Sequence, residues 1–397
     1  MIVKPRVRGF ICTTAHPVGC AAHVAGQVQH VAGRPALAGG PRNVLVIGCS
    51  AGYGLASRIS AAFGARAATL GVSFEKAPTE KKTASAGWYN NRAFEAEAAR
   101  AGLWARTLDG DAFSDELKAE AIETIRRELG PIDLVVYSLA SPVRRDPETG
   151  ETWRSAIKPV GETFHVKTLD VDRARVHEVD LEPATEEEIA ATVKVMGGED
   201  WERWMTQLAD AGVLAPDCRT VAYTYIGSEL TWPIYWHATL GRAKEDLDRA
   251  ARAIHERLAA GDGAAHVAVL KAVVTQASAA IPVVTLYASI LFRVMKEQGV
   301  HEEVIEHVQR LFETQLYGSG DLRLDDAGRI RVDDLELSDA VQTEVKRRWP
   351  QVTTENLGEL ADFEGFRTDF LKIFGFGVEG VDYDAEVDPT SIEPRAG

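Results

Sequence analysis

The stretch "NVLVIGCSAGYGLASRI", residues 43–59, constrains the fold more than any other part of this chain. Its apolar run, 43–48, is typical of a strand that is covered on both faces of a parallel sheet. A glycine-rich turn follows at once, and the pattern over 53–65 then predicts a helix. Strand, glycine turn and helix in this order form the first unit of a doubly wound α/β fold.

The same alternation continues along the chain and predicts a Rossmann-type, doubly wound parallel sheet in a single enlarged domain, 1–397. Further strands are predicted at 67–74, 132–140, 218–227 and 266–275, and further helices at 115–129 and 244–260. Charged residues interrupt the alternation over about 150–216, where we expect an inserted, lid-like subdomain with a hairpin followed by helices. The segment "RIRVDD", 329–334, is predicted to be peripheral.

The chain is acidic, with 44 Lys and Arg against 59 Asp and Glu and a formal net charge of −15. This charge disfavours nonspecific binding to nucleic acids and to anionic membrane surfaces, so we expect small molecules as partners. The most apolar stretch, 277–294, contains a proline and several polar residues. It therefore predicts a buried helix rather than a membrane span.

The four cysteines show no CxxC spacing and are too few for a disulfide framework in a chain of this length. The first residues lack an apolar run of signal-peptide length, so we expect a reducing, cytoplasmic location. Cys12, His16 and Cys20 are candidate metal ligands, but they match no metal-binding motif. No metal is predicted.

The glycine turn is a candidate dinucleotide site. Gly52, Gly54 and Ser57 form a GxGxxS pattern, one residue away from the dinucleotide fingerprint, in which the backbone turns sharply and binds a pyrophosphate at a helix N-terminus. Glu75 follows Gly54 by 21 residues, near the spacing of an acid that accepts hydrogen bonds from the adenosine ribose. A carboxylate there repels a 2′-phosphate, so we expect NADH rather than NADPH. Lysines at 76, 81 and 82 leave the strictness of that preference open, and a plain strand-to-helix turn is the alternative.

Tyr235 and Lys244 are the candidate catalytic pair. Nine residues on a regular helix would put them on nearly opposite faces. Pro233 favours an extended approach to Tyr235, and Thr239 as N-cap would start a helix near Leu240, so both side chains could converge. A phenol can donate to an oxygen that gains negative charge while the ammonium binds ribose hydroxyls. The alternative is a packed aromatic residue and a solvated lysine.

Other predicted site residues follow predicted strands, because ligands of such sheets bind at the carboxyl ends of the strands. Tyr225 is the preferred substrate contact, ahead of Tyr223, which would point the same way. The segments "GDA", 110–112, and "SLAS", 138–141, are expected to border the adenine and the nicotinamide ribose.

These residues resemble a known family. "KPRVRGFICTTAHPVGC", "GCSAGYGLASRI", "YSLASPVR" and the Tyr-x8-Lys of "YWHATLGRAK" are similar to the FabV-type enoyl-acyl-carrier-protein reductases and trans-2-enoyl-CoA reductases. The resemblance extends over nearly the whole chain, including "FGFGVEGVDYDAEVD" near its end. It implies NADH-dependent reduction of the trans-2 double bond of an acyl thioester, in fatty-acid biosynthesis, by a monomer.

The resemblance also implies roles for individual residues. The pyrophosphate side of NADH would be held by Gly48, Cys49, Ser50, Ala51, Gly52 and Tyr53. Other cofactor contacts would be Phe74 and Glu75 at the adenosine ribose, Asp111 and Ala112 at the adenine, Leu139 and Ala140 at the nicotinamide ribose, and Val273, Val274, Thr275 and Lys244. Tyr235 would be the proton donor and Tyr225 a substrate contact.

Two other functions compete with this interpretation. A carbonyl reductase of the short-chain dehydrogenase kind uses the same Tyr and Lys chemistry on ketones, and a non-catalytic NADH sensor would need the cofactor site alone. The sequence leaves open whether the acyl group is carried by acyl-carrier protein or by CoA, and it does not give the acyl chain length or inhibitor sensitivity.

Overall fold

Parallel strands in the order 3-2-1-4-5-6-7 form the central sheet of this computed structural model, which describes residues 1–9, 11–139, 141–279, 281 and 283–393. The strands are β1 (Asn43–Ile47), β2 (Ala68–Ser73), β3 (Ala105–Asp109), β4 (Ile132–Tyr137), β5 (Leu214–Thr224), β6 (Ala264–Val269) and β7 (Ile330–Arg331). Every neighbouring pair is parallel. The predicted Rossmann-type, doubly wound sheet is confirmed.

Helices cover the sheet and extend beyond it. They are α1 (Pro17–Ala32), α2 (Gly52–Ile59), α3 (Ala86–Arg100), α4 (Asp115–Thr124), α5 (Glu186–Met196), α6 (Glu199–Asp210), α7 (Thr239–Leu258), α8 (Gln276–Ala279), α9 (Val284–Glu297), α10 (Val304–Leu311), α11 (Asp339–Arg348), α12 (Leu357–Leu360) and α13 (Phe363–Ile373). Turns of π-helix, 60–64, 125–129 and 312–316, extend α2, α4 and α10.

The β1 strand shows why the sheet strands are apolar throughout. Val44 and Val46 pack in one core with α1, α2, α3 and α10, whereas Leu45 and Ile47 pack in another core with α4, α6 and α7. All four side chains are fully buried. Because both faces are covered by helices, no position of the strand favours a polar residue.

A third core surrounds α9, which is buried continuously from Val284 to Phe292 and contacts α11 and α13. The buried helix predicted within 277–294 is therefore present, although Pro282 lies outside the described residues. Among the described helices, none is both long and apolar enough to cross a membrane.

The charged region 150–216 has two structurally different parts. Its first part forms an antiparallel hairpin, Phe164–Asp170 with Arg175–Leu181, followed by α5. Its last part, α6, buries Trp201 and Trp204 in the same core as β1 and β4. The end of this region is thus a sheet-covering helix between β4 and β5.

The segment 329–334, which was predicted to be peripheral, lies at the edge of the central sheet. Ile330 and Arg331 form β7, the edge strand, and pair with Ala268 and Val269. The side chain of Ile330 is fully buried, so this short segment completes the central sheet. Its two-residue length is too short for a clear strand pattern in the sequence.

Candidate active site

The carboxyl edge of the sheet gathers the predicted cofactor residues. Gly48 follows β1, Phe74 follows β2, and Asp111 lies just after β3. Leu139 lies just after β4, and Tyr225 follows β5 directly. Ala140 lies outside the described residues. This edge is where open α/β sheets bind their ligands.

The glycines of the β1–α2 turn allow close backbone contacts. A β-carbon at Gly54 would overlap the carbonyl oxygen of Gly48, and one at Gly48 would overlap that of Ser138. Gly48 and Gly52 also have positive φ values, +85° and +53°. Helix α2 therefore begins tightly packed on the sheet. Its N-cap, Ala51, provides no side-chain hydrogen bond, so the first amides of α2 can bind an anion.

Glu75 is held firmly beside this turn. Its Oε1 accepts a hydrogen bond from Ser50 Oγ at 2.6 Å, and its backbone amide donates to Asp109 Oδ1 at 2.7 Å. The neighbouring ring of Phe74 is 78% exposed, the highest value among the exposed large apolar side chains of the described residues. An acid and an open aromatic face thus stand next to each other at the end of β2, as an adenosine contact requires.

A cleft of about 650 Å³ opens at this edge of the sheet. Its walls include Ala51, Gly52, Glu75, Val274 and Thr275, which come from three separate parts of the chain. The structure thus brings these five predicted cofactor residues to one cavity. A second cavity of about 760 Å³ shares Ala51, Gly52 and Val274 with it and also contacts Val273.

Two residues of the glycine turn direct their side chains away from the cleft. Cys49 is fully buried and lies 3.7 Å from Arg58 Nη1, so only its backbone faces the turn. The Tyr53 hydroxyl donates to the carbonyl oxygen of Lys271 at 2.5 Å. Tyr53 therefore links the start of α2 to the end of β6.

Asp111 and Ala112 follow β3 as predicted. Asp111 Oδ1 accepts from the amide of Phe113 at 3.0 Å. The carbonyl oxygen of Ala112 accepts from Lys118 Nζ at 2.8 Å and from Trp204 Nε1 at 3.0 Å. Ala112 itself is buried, so its backbone is rigidly held beside the half-buried Asp111.

Tyr235 lies in a series of turns rather than on an extended chain. Its amide donates to Thr231 O at 3.0 Å, and its carbonyl accepts from Gly241 N at 2.9 Å, so the predicted extended approach was wrong. Pro233 has no backbone N–H, and the φ that its ring imposes is compatible with a turn. The chain can therefore turn before Tyr235 instead of extending. The Tyr235 side chain is 9% exposed, and burial raises the pKa of its phenol well above the ordinary value.

Helix α7 begins one residue earlier than predicted, at Thr239, with Ala238 as N-cap. The Thr239 hydroxyl instead donates to Ala156 O at 2.5 Å and connects α7 to the inserted region. Lys244 lies in the second turn, where burial lowers the pKa of its ammonium to about 8. Within the described part of the chain, neither the Tyr235 hydroxyl nor the Lys244 ammonium has a hydrogen-bond partner, so both are available to a ligand.

Tyr225 packs against Tyr235, with ring centroids 5.0 Å apart and an interplanar angle of 83°. Its hydroxyl donates to Glu336 Oε1 at 2.8 Å, a contact that sequence reasoning missed. Tyr223, the second choice for a substrate contact, instead shares a hydrogen bond with Ser57 of α2. Glu336 gave no sequence signal because it lies 111 residues from Tyr225 in an ordinary acidic stretch.

His16 has a structural role. Its Nδ1 accepts from the amide of Gly19 at 3.0 Å and caps α1. The described residues contain no group of three or more His, Cys, Asp or Glu side chains that could hold a metal ion.

Comparison with known proteins decides the family. The model for the trans-2-enoyl-CoA reductase catalytic region matches residues 82–317, and that for the NAD(P)H binding domain of trans-2-enoyl-CoA reductase matches residues 2–80. The chain belongs to the trans-2-enoyl-CoA reductase family. This confirms the resemblance stated from the sequence, and with it an oxidoreductase that uses NADH.

Family relatives match over nearly their whole length. The enoyl-acyl-carrier-protein reductase [NADH] of Edwardsiella ictaluri and that of Aeromonas salmonicida, named FabV, are each 59% identical, over 98% of both chains. The trans-2-enoyl-CoA reductase of Clostridium acetobutylicum, solved with NADH, has a TM-score of 0.96 at 43% identity and covers 99% of this chain and 100% of its own. That of Treponema denticola, solved with NAD, has a TM-score of 0.94 at 51% identity, over 98% of each chain.

A third family model, described as an enoyl reductase FAD binding domain, matches residues 324–387. In this chain α11, α12 and α13 of that segment pack apolar side chains against α9. The glycine turn at Gly375 is pressed against the backbone of His16 and Gly19. The turn at Gly375 therefore has a packing role and leaves no room for a phosphate, and we assign no flavin to this segment.

Proposed function

We propose that this family member reduces the trans-2 double bond of enoyl thioesters to the saturated acyl thioester with NADH, in fatty-acid biosynthesis. The observation that supports this most is the position of Tyr235. A buried phenol without a hydrogen-bond partner among the described residues packs on Tyr225 at the carboxyl edge of the sheet. A donor kept free there can serve an oxygen that gains negative charge.

Three side chains have separate roles in the proposed reaction. When bound, NADH supplies the hydride that adds to C3 of the enoyl thioester. The Tyr235 hydroxyl donates to the thioester carbonyl oxygen as negative charge develops on it, and the resulting enolate takes up one proton from solvent at C2, which completes the reduction. The high pKa of Tyr235 keeps its proton in place before reaction. Lys244 binds cofactor hydroxyls, and Tyr225 contacts the substrate.

We assign the cofactor contacts as the resemblance implies. The β1–α2 turn holds the pyrophosphate through the free amides of α2, and Glu75 with Phe74 binds the adenosine ribose. The remaining proposed contacts are Asp111, Ala112, Leu139, Ala140, Val273, Val274 and Thr275. The placement of the described contacts along one edge of the sheet supports this assignment.

We also propose that the hairpin at 164–181 acts as the lid of the 150–216 insertion in this single domain. Its Val166 packs in a cluster with Ile234, the neighbour of Tyr235, and with Val283. The amide of Val283 donates to Thr168 Oγ1 at 3.2 Å. Shortening the hairpin should raise the KM for crotonyl-CoA at least fivefold and leave the Kd for NADH within twofold. An unchanged KM for crotonyl-CoA would contradict the lid role of the hairpin.

The decisive experiment follows NADH oxidation with crotonyl-CoA for the wild type, Tyr235→Phe and Tyr317→Phe. Loss of the donor should lower kcat about 100-fold or more while NADH still binds, since general-acid groups contribute about 10²–10⁴-fold. Tyr317 is a matched control because it contacts Arg219, where the pairing of β5 with β6 begins, and it does not line the cleft. Butyryl-CoA should be the product.

The competing functions give different results in the same assay. A carbonyl reductase would oxidise NADH with acetoacetyl-CoA and leave crotonyl-CoA unreduced. A sensor would bind NADH without turnover of either thioester and would be unaffected by Tyr235→Phe. Either result would overturn the proposed reaction.

We propose a monomer in the cytoplasm that accepts acyl groups on acyl-carrier protein or on CoA. The four cysteines are buried and free, which suits a reducing compartment. Large apolar side chains exposed among the described residues are few, namely Ile2, Val7, Ile11, Phe74 and Leu324. Light scattering after size exclusion tests the monomer, fractionation of the source cells tests the compartment, and kcat/KM for crotonyl groups on the two carriers measures the preference.

A further inference from the structure

Glu336 is a fully buried acid in the connection between β7 and α11. A buried carboxylate is strongly destabilising unless donors surround it. Here Oε1 accepts from the hydroxyls of Tyr225 at 2.8 Å and Tyr287 at 2.9 Å, and Oε2 accepts from the amide of Ala272 at 2.6 Å. Three donors from three separate parts of the chain converge on this one side chain.

Gln342 fixes the direction of the hydrogen bond between Tyr287 and Glu336. Its Nε2 donates to the Tyr287 hydroxyl at 3.1 Å and to the Glu336 carbonyl at 2.8 Å. The Tyr287 hydroxyl accepts from Gln342, so its own proton points to Glu336. The amide of Ala272 can only donate, so both carboxyl oxygens serve as acceptors.

A buried cation accompanies the carboxylate. Lys271 is fully buried, and its ammonium donates to the carbonyl oxygens of Ala272 at 3.0 Å and Glu302 at 2.9 Å. Its charge favours the ionised form of Glu336, against the burial that raises the pKa of that carboxyl. The carboxylate is thus held in place from the end of β6 as well.

The hydrogen bond to Tyr225 connects Glu336 to the candidate active site. The edge-to-face contact between Tyr225 and Tyr235 leaves the Tyr235 ring little freedom, because its side chain is also buried. Tyr287 bonds the same carboxyl oxygen from α9 but has no ring contact with Tyr235 among the described residues. The two tyrosines therefore differ in what they touch and share the same acceptor.

We propose that Glu336 is a positioning residue for the reduction, which holds Tyr225 so that its ring fixes the orientation of the Tyr235 phenol. This inference rests on the proposed function. The carboxylate touches neither substrate nor cofactor and acts through Tyr225. A merely structural acid would contribute to folding stability alone, whereas a positioning residue contributes to kcat through one partner.

The test is a double-mutant cycle with Glu336→Gln and Tyr225→Phe, and with Tyr287→Phe as the matched control. Gln keeps the length of the side chain but replaces one acceptor oxygen by a donor. We expect Glu336→Gln and Tyr225→Phe each to lower kcat with crotonyl-CoA at least tenfold, with the KM for NADH within threefold. The kcat of the double variant should lie within about twofold of that of the slower single variant, because both changes remove the same hydrogen bond between Glu336 and Tyr225. Tyr287→Phe should lower Tm and keep kcat within twofold.

If the Glu336→Gln protein folds, two results would overturn the inference. One is a Glu336→Gln protein with a lower Tm and a kcat within twofold of the wild type, and the other is a double variant whose kcat loss is the product of the single losses. If Glu336→Gln does not fold, equal kcat values for Tyr225→Phe and Tyr287→Phe overturn it, and a loss confined to Tyr225→Phe supports it. Failure of the wild type to reduce crotonyl-CoA would instead reject the proposed function.

Discussion

At the scale of single residues, Glu75 has a structural role in addition to the selective role that we propose for it. It anchors Ser50 of the glycine turn, and a β-carbon at Gly87 would overlap its carboxylate. A side chain at 87 would therefore displace this carboxylate from its present position. The carboxylate that organises the turn is therefore also the group that faces the adenosine ribose in our assignment.

Replacing Glu75 by Gln should weaken the discrimination against NADPH. The amide keeps the shape of the side chain but no longer repels a 2′-phosphate. The ratio of kcat/KM for NADH to that for NADPH should fall at least tenfold, measured with crotonyl-CoA at fixed concentration. Glu80→Gln, at an exposed acid in the same segment, is the control. An unchanged ratio would show that another residue selects the cofactor.

The lowered pKa of Lys244 predicts a pH-dependent cofactor affinity. Burial moves this pKa to about 8, so the ammonium is present below that value and is lost as the pH rises through it. The KM for NADH should therefore increase between pH 7 and pH 9. Lys244→Arg keeps its charge throughout this range, so its KM should stay nearly constant, although its absolute value differs. The same increase in both proteins would assign the effect to another group.

At the scale of elements, the β1–α2 unit was predicted well because its pattern is local. Apolar residues, glycines and helix formers follow one another within 43–65. The ends of strands were predicted less well. Strand β6 ends at Val269, whereas the apolar run suggested 266–275. The extra apolar residues, Val273 and Val274, line the cavities beyond the sheet. An apolar run in the sequence is the same for residues inside a buried strand and for residues that line a cavity.

Gly54→Ala should separate α2 from β1. The new β-carbon would overlap the carbonyl oxygen of Gly48, so the helix must shift and its free amides with it. We expect a lower Tm and at least a tenfold weaker Kd for NADH by titration calorimetry. Gly26→Ala is the control, because Gly26 is exposed within α1 and nothing lies within 4 Å of an added β-carbon. Gly26→Ala should leave the stability of the protein unchanged or increase it by up to about 1 kcal/mol. Equal NADH affinity of the Gly54→Ala and Gly26→Ala variants would contradict the packing argument.

At the scale of the whole molecule, buried charges join distant parts of the chain. Lys118 of α4 and Asp200 of α6 are 2.9 Å apart with side chains 0% and 2% exposed, and Asp200 also accepts from Tyr137 at 3.0 Å. Burial lowers the pKa of Lys118 and raises that of Asp200. This ion pair holds the helix at the end of the inserted region against the sheet.

Lys118→Met should leave Asp200 as a buried charge without its partner. Removing one member of a buried pair costs about 3–5 kcal/mol of unfolding free energy. Lys4→Met breaks an exposed pair with Asp384 and should leave the free energy of unfolding nearly unchanged. Urea denaturation of both variants measures the difference. Similar small losses would mean that water reaches Asp200 in the folded protein.

The sequence by itself determined the parallel sheet and the glycine turn, because each strand, turn and helix has a pattern of residues close together in the chain. It also determined the family, because several such motifs occur along nearly the whole chain. The placement of Tyr235 in consecutive turns and the start of α7 at Thr239 depend on contacts with the inserted region and with neighbouring turns. Only the tertiary structure decided that Glu336 meets Tyr225, Tyr287 and Ala272. A single acidic residue has the same local pattern on the surface and in a core, and its environment is set by chain segments far away in sequence.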